Sequence, residues 1–277
     1  MDEIFWVCVL YNTIPDDSLT LISLSKIFKS SINLNHNILI YDNSLNSTKQ
    51  VNIFSPNVTV EFNHNPENPG LAVAYNYALK IAAGFDKKWL VLLDQDSELG
   101  SDFLIQLVRS LDEVEKDDSI VAIIPSVYDE KTLVSPSKLI SGVLNLPYRG
   151  RVNDKINGGI SAINSGSAIS INFLNSISGF NEDFPLDILD HWLYYKIFLL
   201  KRSVYLNSAI LKHSLSVARG TVSFRRYKSI LLGEKKLFCE IKKQRILYST
   251  VLLLRTAKQL LKGQFSTAKM TILFLLK

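Results

Sequence analysis

The sequence predicts an α/β fold with a mostly parallel central sheet, followed by a helical C-terminal extension. Over the first third of the chain, apolar strand-like runs alternate with helical patterns, which is typical of parallel strands joined by crossover helices. The tail instead shows helical periodicity and a different charge. With 277 residues, 47% hydrophobic and 21% charged, the chain is long enough to bury a full core. This composition excludes disordered and fibrous proteins.

The individual elements follow from local pattern. Apolar runs predict strands over residues 4–10, 37–41, 58–62, 89–93, 120–124, 162–171 and 204–211. Apolar residues at helical spacing predict helices over residues 18–30, 71–83, 103–114 and 186–200. Residues 125–159 are punctuated by Ser, Pro and Gly, so we expect mixed loop and strand there.

The charge distribution divides the chain near residue 220. Residues 225–277 hold 13 Lys or Arg against Glu234 and Glu240, a net charge of +11, whereas residues 1–224 hold 18 basic and 24 acidic residues, a net of −6. We therefore predict one domain over 1–220 and a basic amphipathic helical region over 221–277. An acidic body with a basic, apolar tail favours an anionic membrane surface over nucleic acid as partner. Packing of the tail on the core, or pairing of two subunits in a homodimer, is the alternative.

Cysteine content and hydropathy bear on location. Cys8 and Cys239 are too few for a disulfide framework or a cysteine-rich zinc site, and they suit a reducing compartment. No apolar run approaches the roughly 18 residues of a membrane span, and Asp2 and Glu3 stand where a secretory signal is basic. We expect a cytoplasmic protein that is peripheral at the inner face of the plasma membrane.

The triplet Asp94-Gln95-Asp96 is the most suggestive local motif. Two carboxylates that flank one residue at a strand end can share a divalent cation and thereby bind a diphosphate. About one Asp-x-Asp triplet is expected by chance from 16 Asp residues, so its position after an apolar strand is what favours a site over a solvated loop. The patterns GxGxxG after a strand and GxxxxGK[ST] are absent, which excludes the common dinucleotide and P-loop sites.

Seven ordered segments carry a family resemblance. They are VCVLYN, YDNS, ENPGLAVAYNYAL, LLDQDS, SGSAIS, GFNEDFPLDILDHW and LKHSLS. Together they make residues 4–215 resemble the family-2 inverting glycosyltransferases, especially their bacterial rhamnosyltransferase branch. The resemblance implies a single Rossmann-like domain with the glycosyltransferase A-type fold. ENxGxAxAxN and DQDS are the most specific segments.

The resemblance implies a set of donor and metal residues. The nucleotide sugar would be bound by Tyr11, Asn12, Asp42, Asn43, Asn68, Gly70, Asn76 and Asp94. Mg²⁺ or Mn²⁺ would be bound by Asp96 and His213. Asp42 and Asn43 are equally compatible with a turn cap, Asn68 and Gly70 with helix punctuation, and His213 with a hydrogen-bonded bystander.

The resemblance also implies an acceptor side. Asp190 aligns best with the family's general base and Asp187 with a neighbouring acid, both catalytic candidates. Ser165, Gly166, His191 and Trp192 are the predicted acceptor-side residues. The family more often has one more spacer and an acid before the Trp, so the choice between Asp187 and Asp190 stays open. Alternatively, Asp187 and Asp190 are exposed acids that stabilise the start of a helix, and Trp192 is a core residue.

The implied activity is metal-dependent, inverting transfer of rhamnose from dTDP-rhamnose to a lipid-linked glycan acceptor, in the synthesis of a bacterial O-antigen or capsule. Another hexose or galactofuranose as donor, a sugar-phosphate nucleotidyltransferase, and a non-catalytic membrane-bound scaffold are the alternatives. The nucleotidyltransferase normally has a Gly-rich basic loop after its first strand, and the segment after Leu10 lacks one.

Overall fold

The central feature of the computed structural model is a ten-stranded sheet flanked by helices on both faces. The structure describes residues 3–47, 51–140, 144–213 and 223–276. The mixed α/β architecture and the C-terminal helices confirm the predicted fold class.

Thirteen strands are formed in the described residues. They are β1 Ile4–Leu10, β2 His36–Asp42, β3 Val58–His64, β4 Trp89–Asp94, β5 Ser97–Leu99, β6 Ile120–Asp129, β7 Thr132–Ser135, β8 Ser137–Ile140, β9 Leu144–Pro147, β10 Asp154–Ile156, β11 Ile160–Ser161, β12 Ala168–Ser170 and β13 Ser203–His213.

Eight α-helices accompany these strands in the same described ranges. They are α1 Leu19–Ser30, α2 Leu71–Gly84, α3 Phe103–Val114, α4 Ile171–Ser176, α5 Leu189–Leu199, α6 Phe224–Lys235, α7 Arg245–Leu261 and α8 Phe265–Leu275. A 3₁₀ turn spans Pro15–Asp17, and a π-helical segment, Lys236–Ile241, continues α6.

Most strands of the main sheet point the same way. Its order is β10-β13-β6-β12-β4-β1-β2-β3, with β5 paired to β13 and β7 to β6. The pairs β2–β3, β1–β2, β1–β4 and β6–β13 are parallel, and β12 runs antiparallel to both β4 and β6. Strands β1, β2, β3, β4, β6 and β13 therefore share one direction, and their carboxyl ends lie along one edge of the sheet.

The sheet separates two hydrophobic cores. Strand β1 is buried along its whole length because its side chains alternate between the cores: Phe5, Val7 and Val9 on one face, and Ile4, Trp6, Cys8 and Leu10 on the other. Helices α1 and α3 cover the Trp6 face, and helices α2 and α5 cover the Phe5 face. The result is a three-layer arrangement with a rigid strand edge for a site.

Two predicted elements differ from the structure. The strand predicted over 162–171 is only β12, because Gly166 adopts a left-handed φ of 80° in a preceding turn and α4 begins at Ile171. The helix predicted from residue 186 begins at Leu189, because Ile188 also has a left-handed φ, of 72°. Strand β5 is a third difference, since the sequence reasoning did not predict it.

The C-terminal helices pack on the α5 side of the sheet. Leu231, Phe238, Tyr248, Leu252 and Met270 join the core on that face. The predicted division at residue 220 stays a prediction, and residues 214–222 lie outside the described ranges. Across the described ranges, none of the helices combines the length and the apolarity that crossing a bilayer needs.

His36 should make stability depend on pH. Its buried ring stacks on Phe28 with centroids 3.9 Å apart, and burial together with the charge of Lys87 lowers the pKa of His36 from 6.5 to about 4. The unfolded chain therefore binds a proton first as the pH falls, so stability present above about pH 6.5 is lost towards pH 4, by about 2 kcal/mol at pH 5. Urea unfolding should show that wild type loses about 2 kcal/mol more stability than His36→Phe between pH 7 and pH 5.

His64 provides the matched control for that prediction. Its imidazole Nε2 contacts the Ser44 carbonyl at 2.8 Å at the exposed end of β3. His64→Gln should keep the pH-dependent loss of stability, and an equal loss in His36→Phe would contradict the assignment to His36.

Candidate active site

Asp94, Asp96 and His213 converge at the carboxyl edge of the sheet. One ligand atom from each lies within 4.8 Å of the others, and His213 Nδ1 is 3.5 Å from Asp96 Oδ1. Asp94 ends β4, Asp96 lies in the turn that follows, and His213 ends β13. The antiparallel pairing of β5 with β13 places His213 opposite Ser97, which brings the histidine to the two acids.

A buried serine pair supports this cluster. Ser97 Oγ lies 2.8 Å from both His213 Nδ1 and Ser165 Oγ, and Ser165 Oγ accepts the Asp94 N–H at 3.1 Å. Ser165 has no exposed surface. The structure thus places this predicted acceptor-side residue beneath the acids, where it orients the Asp94 backbone and, through Ser97, the imidazole.

Gly166 has a packing role in the same turn. Its φ is 80°, its N–H donates to the Leu92 carbonyl at 2.7 Å, and an added Cβ would lie 2.7 Å from a Leu211 methyl carbon. Only glycine fits both the backbone conformation and the space without displacing Leu211. The structure accordingly accounts for Gly166 by the turn into β12.

Helix α1 holds the turn that carries Asp96. The Thr20 hydroxyl contacts the carbonyls of Asp94 and Ser97 and accepts the Ser97 N–H at 2.9 Å. Ser18, the N-cap of α1, donates its hydroxyl to the Gln95 carbonyl at 2.8 Å. The sequence reasoning missed both residues, because capping signals point to a helix start and do not say which distant turn the cap holds.

The electrostatics of the cluster fit a divalent cation. Burial raises the pKa of Asp94 to about 6; the His213 charge opposes this rise, and the negative charges of Asp96 and Asp190 add to it. The Tyr75 hydroxyl, 3.5 Å from Asp94 Oδ1, is its hydrogen-bond donor. The two carboxylates supply the hard oxygen donors that Mg²⁺ and Mn²⁺ prefer, the imidazole adds a borderline nitrogen donor, and a cation would relieve the repulsion between the acids. Asp94, predicted as a nucleotide-sugar residue, is thus a third candidate metal ligand beside Asp96 and His213.

The ends of β1 and β2 lie beside this cluster. Leu10 is paired with Asp42 and Val9 with Asp94, so Tyr11 and Asn12 follow at the same edge. Asp42 is buried, and its carboxylate accepts the backbone N–H (2.9 Å) and the hydroxyl of Ser44. Asp42 therefore caps its own turn.

Gln95 ties the acidic turn to Tyr11. Its side-chain oxygen accepts the Tyr11 N–H at 2.7 Å, and its side-chain nitrogen donates to the Tyr11 carbonyl at 3.2 Å. The Tyr11 ring is 51% exposed and so free to contact a ligand. Gln95 thus positions the loop that follows β1. The sequence did not predict this contact, because Gln95 and Tyr11 are 84 positions apart.

The loop before α2 reaches the same edge. Asn43 Nδ2 donates to the Gly70 carbonyl at 3.4 Å, and the buried Asn43 Oδ1 has no hydrogen-bond partner among the described residues. Gly70 has a φ of 98°, and a Cβ there would lie 2.2 Å from the Pro185 carbonyl oxygen. Asn68, with a φ of 50°, is exposed at the start of this loop. The close approach at Gly70 connects the loop to the segment that leads into α5.

Asp187 and Asp190 have different environments. Asp187 precedes α5, where its Oδ1 pairs with the Arg226 guanidinium at 3.2 Å, while its buried Oδ2 has no hydrogen-bond partner in the described ranges. Asp190 lies in the first turn of α5, and its Oδ1 accepts the His191 N–H at 2.7 Å. Asp187 therefore lies outside the helix that carries Asp190. The negative charge of Asp190, however, raises the pKa of both Asp94 and Tyr75, which links it electrostatically to the acidic cluster.

Three further predicted residues contact other parts of the protein and not the acidic cluster: His191, Trp192 and Asn76. His191 Nδ1 lies 2.8 Å from Ser161 Oγ, whereas Trp192 is buried in the core. Asn76 binds the backbone of Phe180, donating to its carbonyl at 2.9 Å and accepting its N–H at 2.7 Å. Asn76 and Trp192 both line a separate groove of about 590 Å³ that includes none of the three clustered metal-ligand candidates. The structure does not bring these two residues together with Asp94 and Asp96.

Comparison with protein-family profiles identifies the family of this chain. A family profile described as "Glycosyl transferase family 2" matches residues 19–180, more than half of the chain. A comparison with curated protein sequences finds no match.

Solved glycosyltransferase structures share the fold. TarS 1-349 from S. aureus superposes over 85% of this chain and 65% of its own, with a TM-score of 0.53 and 13% identity. A longer TarS structure superposes over 85% of this chain and 40% of its own, with a TM-score of 0.52 and 14% identity. The chain therefore spans less than two thirds of the length of either TarS structure. Mannosyltransferase PcManGT from Pyrobaculum calidifontis, in complex with GDP-Man and Mn²⁺, superposes over 99% of this chain and 85% of its own, with a TM-score of 0.51 and 15% identity.

Proposed function

Because the chain belongs to glycosyl transferase family 2, we propose that it catalyses metal-dependent, inverting transfer of a sugar from a nucleoside-diphosphate donor to an acceptor hydroxyl. The observation that carries the proposal is the cluster of Asp94, Asp96 and His213 beside the ends of β1 and β2. Ligands of open α/β sheets bind at such carboxyl ends. The solved complex of PcManGT with GDP-Man and Mn²⁺ supports the same pairing of donor and metal.

The donor diphosphate is bound at the acidic cluster. Asp94, Asp96 and His213 would hold Mg²⁺ or Mn²⁺, with the buried serine pair fixing the imidazole. A bound cation neutralises the charge that develops on the departing diphosphate. Tyr11, held by Gln95, contacts the nucleoside. The Asn43 side chain contacts it as well, because its Oδ1 has no hydrogen-bond partner among the described residues.

The acceptor hydroxyl is deprotonated by Asp190. An inverting transfer needs one base, which removes the hydroxyl proton as the oxygen attacks the anomeric carbon from the side opposite the diphosphate. The structure records no ion pair for Asp190 within the described ranges, whereas Asp187 is engaged by Arg226. Because Arg226 holds the Asp187 carboxylate in an ion pair, we assign Asp190 as the base and Asp187 as the residue that orients the acceptor.

The donor we propose is dTDP-rhamnose, and the acceptor is a lipid-linked glycan of a bacterial O-antigen or capsule. The DQDS and DHW segments support rhamnose through their resemblance to the rhamnosyltransferase branch. A lipid-linked acceptor fits the basic C-terminal region, which would keep the enzyme at the inner face of the plasma membrane.

Thermal unfolding with a panel of nucleotide sugars tests this function. In the presence of Mn²⁺, dTDP-rhamnose should raise the melting temperature most, because a ligand at a hundred times its Kd stabilises the folded state by about 2.7 kcal/mol. EDTA should abolish the shift, and thymidine without phosphates should give none. A larger shift with a different nucleotide sugar would change the donor, and no metal-dependent shift with any donor would refute the transferase proposal.

A further inference from the structure

Helix α7 exposes an unusual number of large aliphatic side chains. Ile246 is 86% exposed, Leu254 62% and Leu261 90%, and Leu253 and Leu260 are also exposed. A single exposed leucine is normal in a protein, but five on the outward side of one helix of 17 residues form an apolar face.

The opposite side of α7 is already occupied. Tyr248, Leu252, Thr256 and Gln259 are buried towards the core. The Tyr248 hydroxyl donates to Glu234 of α6 at 3.2 Å, so the helix is held by one face. A partner can therefore reach α7 only from its outward side, along the length of the helix.

Helix α8 extends the apolar surface. It packs against α7. The Thr271 hydroxyl of α8 donates a buried hydrogen bond of 3.0 Å to the Gln259 side-chain oxygen of α7. Its own outward residues Phe265, Leu273 and Leu276 are exposed. We call the exposed apolar residues of these two helices the hairpin face: Ile246, Leu253, Leu254, Leu260, Leu261, Phe265, Ile272, Leu273 and Leu276.

The charge around the hairpin face has one sign. Residues 241–277 contain no Asp or Glu, and Arg245, Lys258, Lys262 and Lys269 are exposed on α7 and α8. Basic residues beside an apolar helical face are the composition of helices that lie in the interface of an anionic membrane. Two copies joined through this face would bring equal positive charges together, which disfavours self-association.

We propose that the hairpin face binds an anionic phospholipid bilayer in the plane of the membrane. The apolar side chains enter the boundary between headgroups and acyl chains, and Arg245, Lys258, Lys262 and Lys269 contact lipid phosphates. The inference takes its purpose from the proposed function, because a lipid-linked acceptor is reached from such a surface. Vesicle binding needs neither donor nor acceptor, so the two proposals fail separately.

Co-sedimentation with vesicles tests the hairpin face. Wild type should bind vesicles of phosphatidylcholine mixed with phosphatidylglycerol, and binding should weaken with salt. Leu254→Gln/Leu261→Gln should bind about a hundredfold more weakly, because two apolar side chains no longer enter the bilayer. Lys258→Gln/Lys262→Gln/Lys269→Gln should also lose about a hundredfold, at about fivefold for each basic residue, and its binding should depend less on salt.

Matched variants on the body of the protein complete the test. Ile32→Gln/Ile105→Gln alters two exposed aliphatic side chains outside the C-terminal region and should bind as wild type does. A cooperative thermal unfolding transition like that of wild type verifies that each variant is folded. The proposal is overturned if wild type stays in the supernatant, if the hairpin variants bind equally well, or if gel filtration shows that they only convert a dimer to monomers.

Discussion

Replacing Asp96 with alanine is expected to lower the rate of sugar transfer by roughly a hundredfold to a thousandfold at saturating Mn²⁺. Asp96 is the exposed member of the acidic cluster, and its Oδ1 lies 3.5 Å from His213 Nδ1. Without it, Asp94 and His213 remain as two ligands for the cation, so the charge on the departing diphosphate is less well compensated. Calorimetric titration of Mn²⁺ in the presence of nucleoside diphosphate should show weakened metal binding in parallel with the lost activity.

Glu98 is the matched control for this prediction. It lies two residues further along the same turn and strand, is exposed, and is 3.7 Å from Lys212. Glu98→Ala should keep both metal affinity and turnover. If Asp96→Ala turned over as fast as wild type and bound Mn²⁺ equally well, the assignment of Asp96 as a metal ligand would be lost.

Replacing Asp190 with asparagine is expected to reduce kcat by roughly two to four orders of magnitude while donor binding is retained. Asparagine keeps the size and the hydrogen-bond acceptor that receives the His191 N–H, but it cannot take a proton. The loss should therefore appear in kcat and not in the KM for the donor. Initial rates over a range of donor concentrations, with nucleoside diphosphate release as readout, separate the two parameters.

A substitution at Asp187 tests whether this residue orients the acceptor or is itself the base. Asp187→Asn removes the ion pair with Arg226, so we expect a rise in the acceptor KM and a smaller loss of kcat than in Asp190→Asn. Asp183→Asn, at an exposed acid of the preceding turn that pairs with Lys236 at 2.7 Å, should behave as wild type. Greater loss in Asp187→Asn than in Asp190→Asn would exchange the two roles.

Periodicity and strand-end motifs made much of the fold predictable. The predicted starts of β1, β2, β3, β4, β6 and β13 lie within one residue of the observed starts. Strands β1 and β4 were the clearest, because a strand buried on both faces must be almost wholly apolar. The same reasoning placed Asp94 and Asp96 after a buried strand. Local backbone conformation was not accessible in this way: the left-handed Ile188 delays the start of α5 and leaves Asp187 outside the helix.

The amino-acid sequence by itself determined the fold class, the edge of the sheet where acids collect, and the charge contrast between body and tail, because all three depend on short-range pattern or composition. Only the tertiary structure decided which distant residues meet there. Ser97 and His213 are 116 positions apart and are joined by the β5–β13 pairing. Ser165 lies in the turn before β12, and the pairing of β12 with β4 places it beside Ser97. Strand pairing across such distances depends on how the whole chain packs, and no local pattern specifies it.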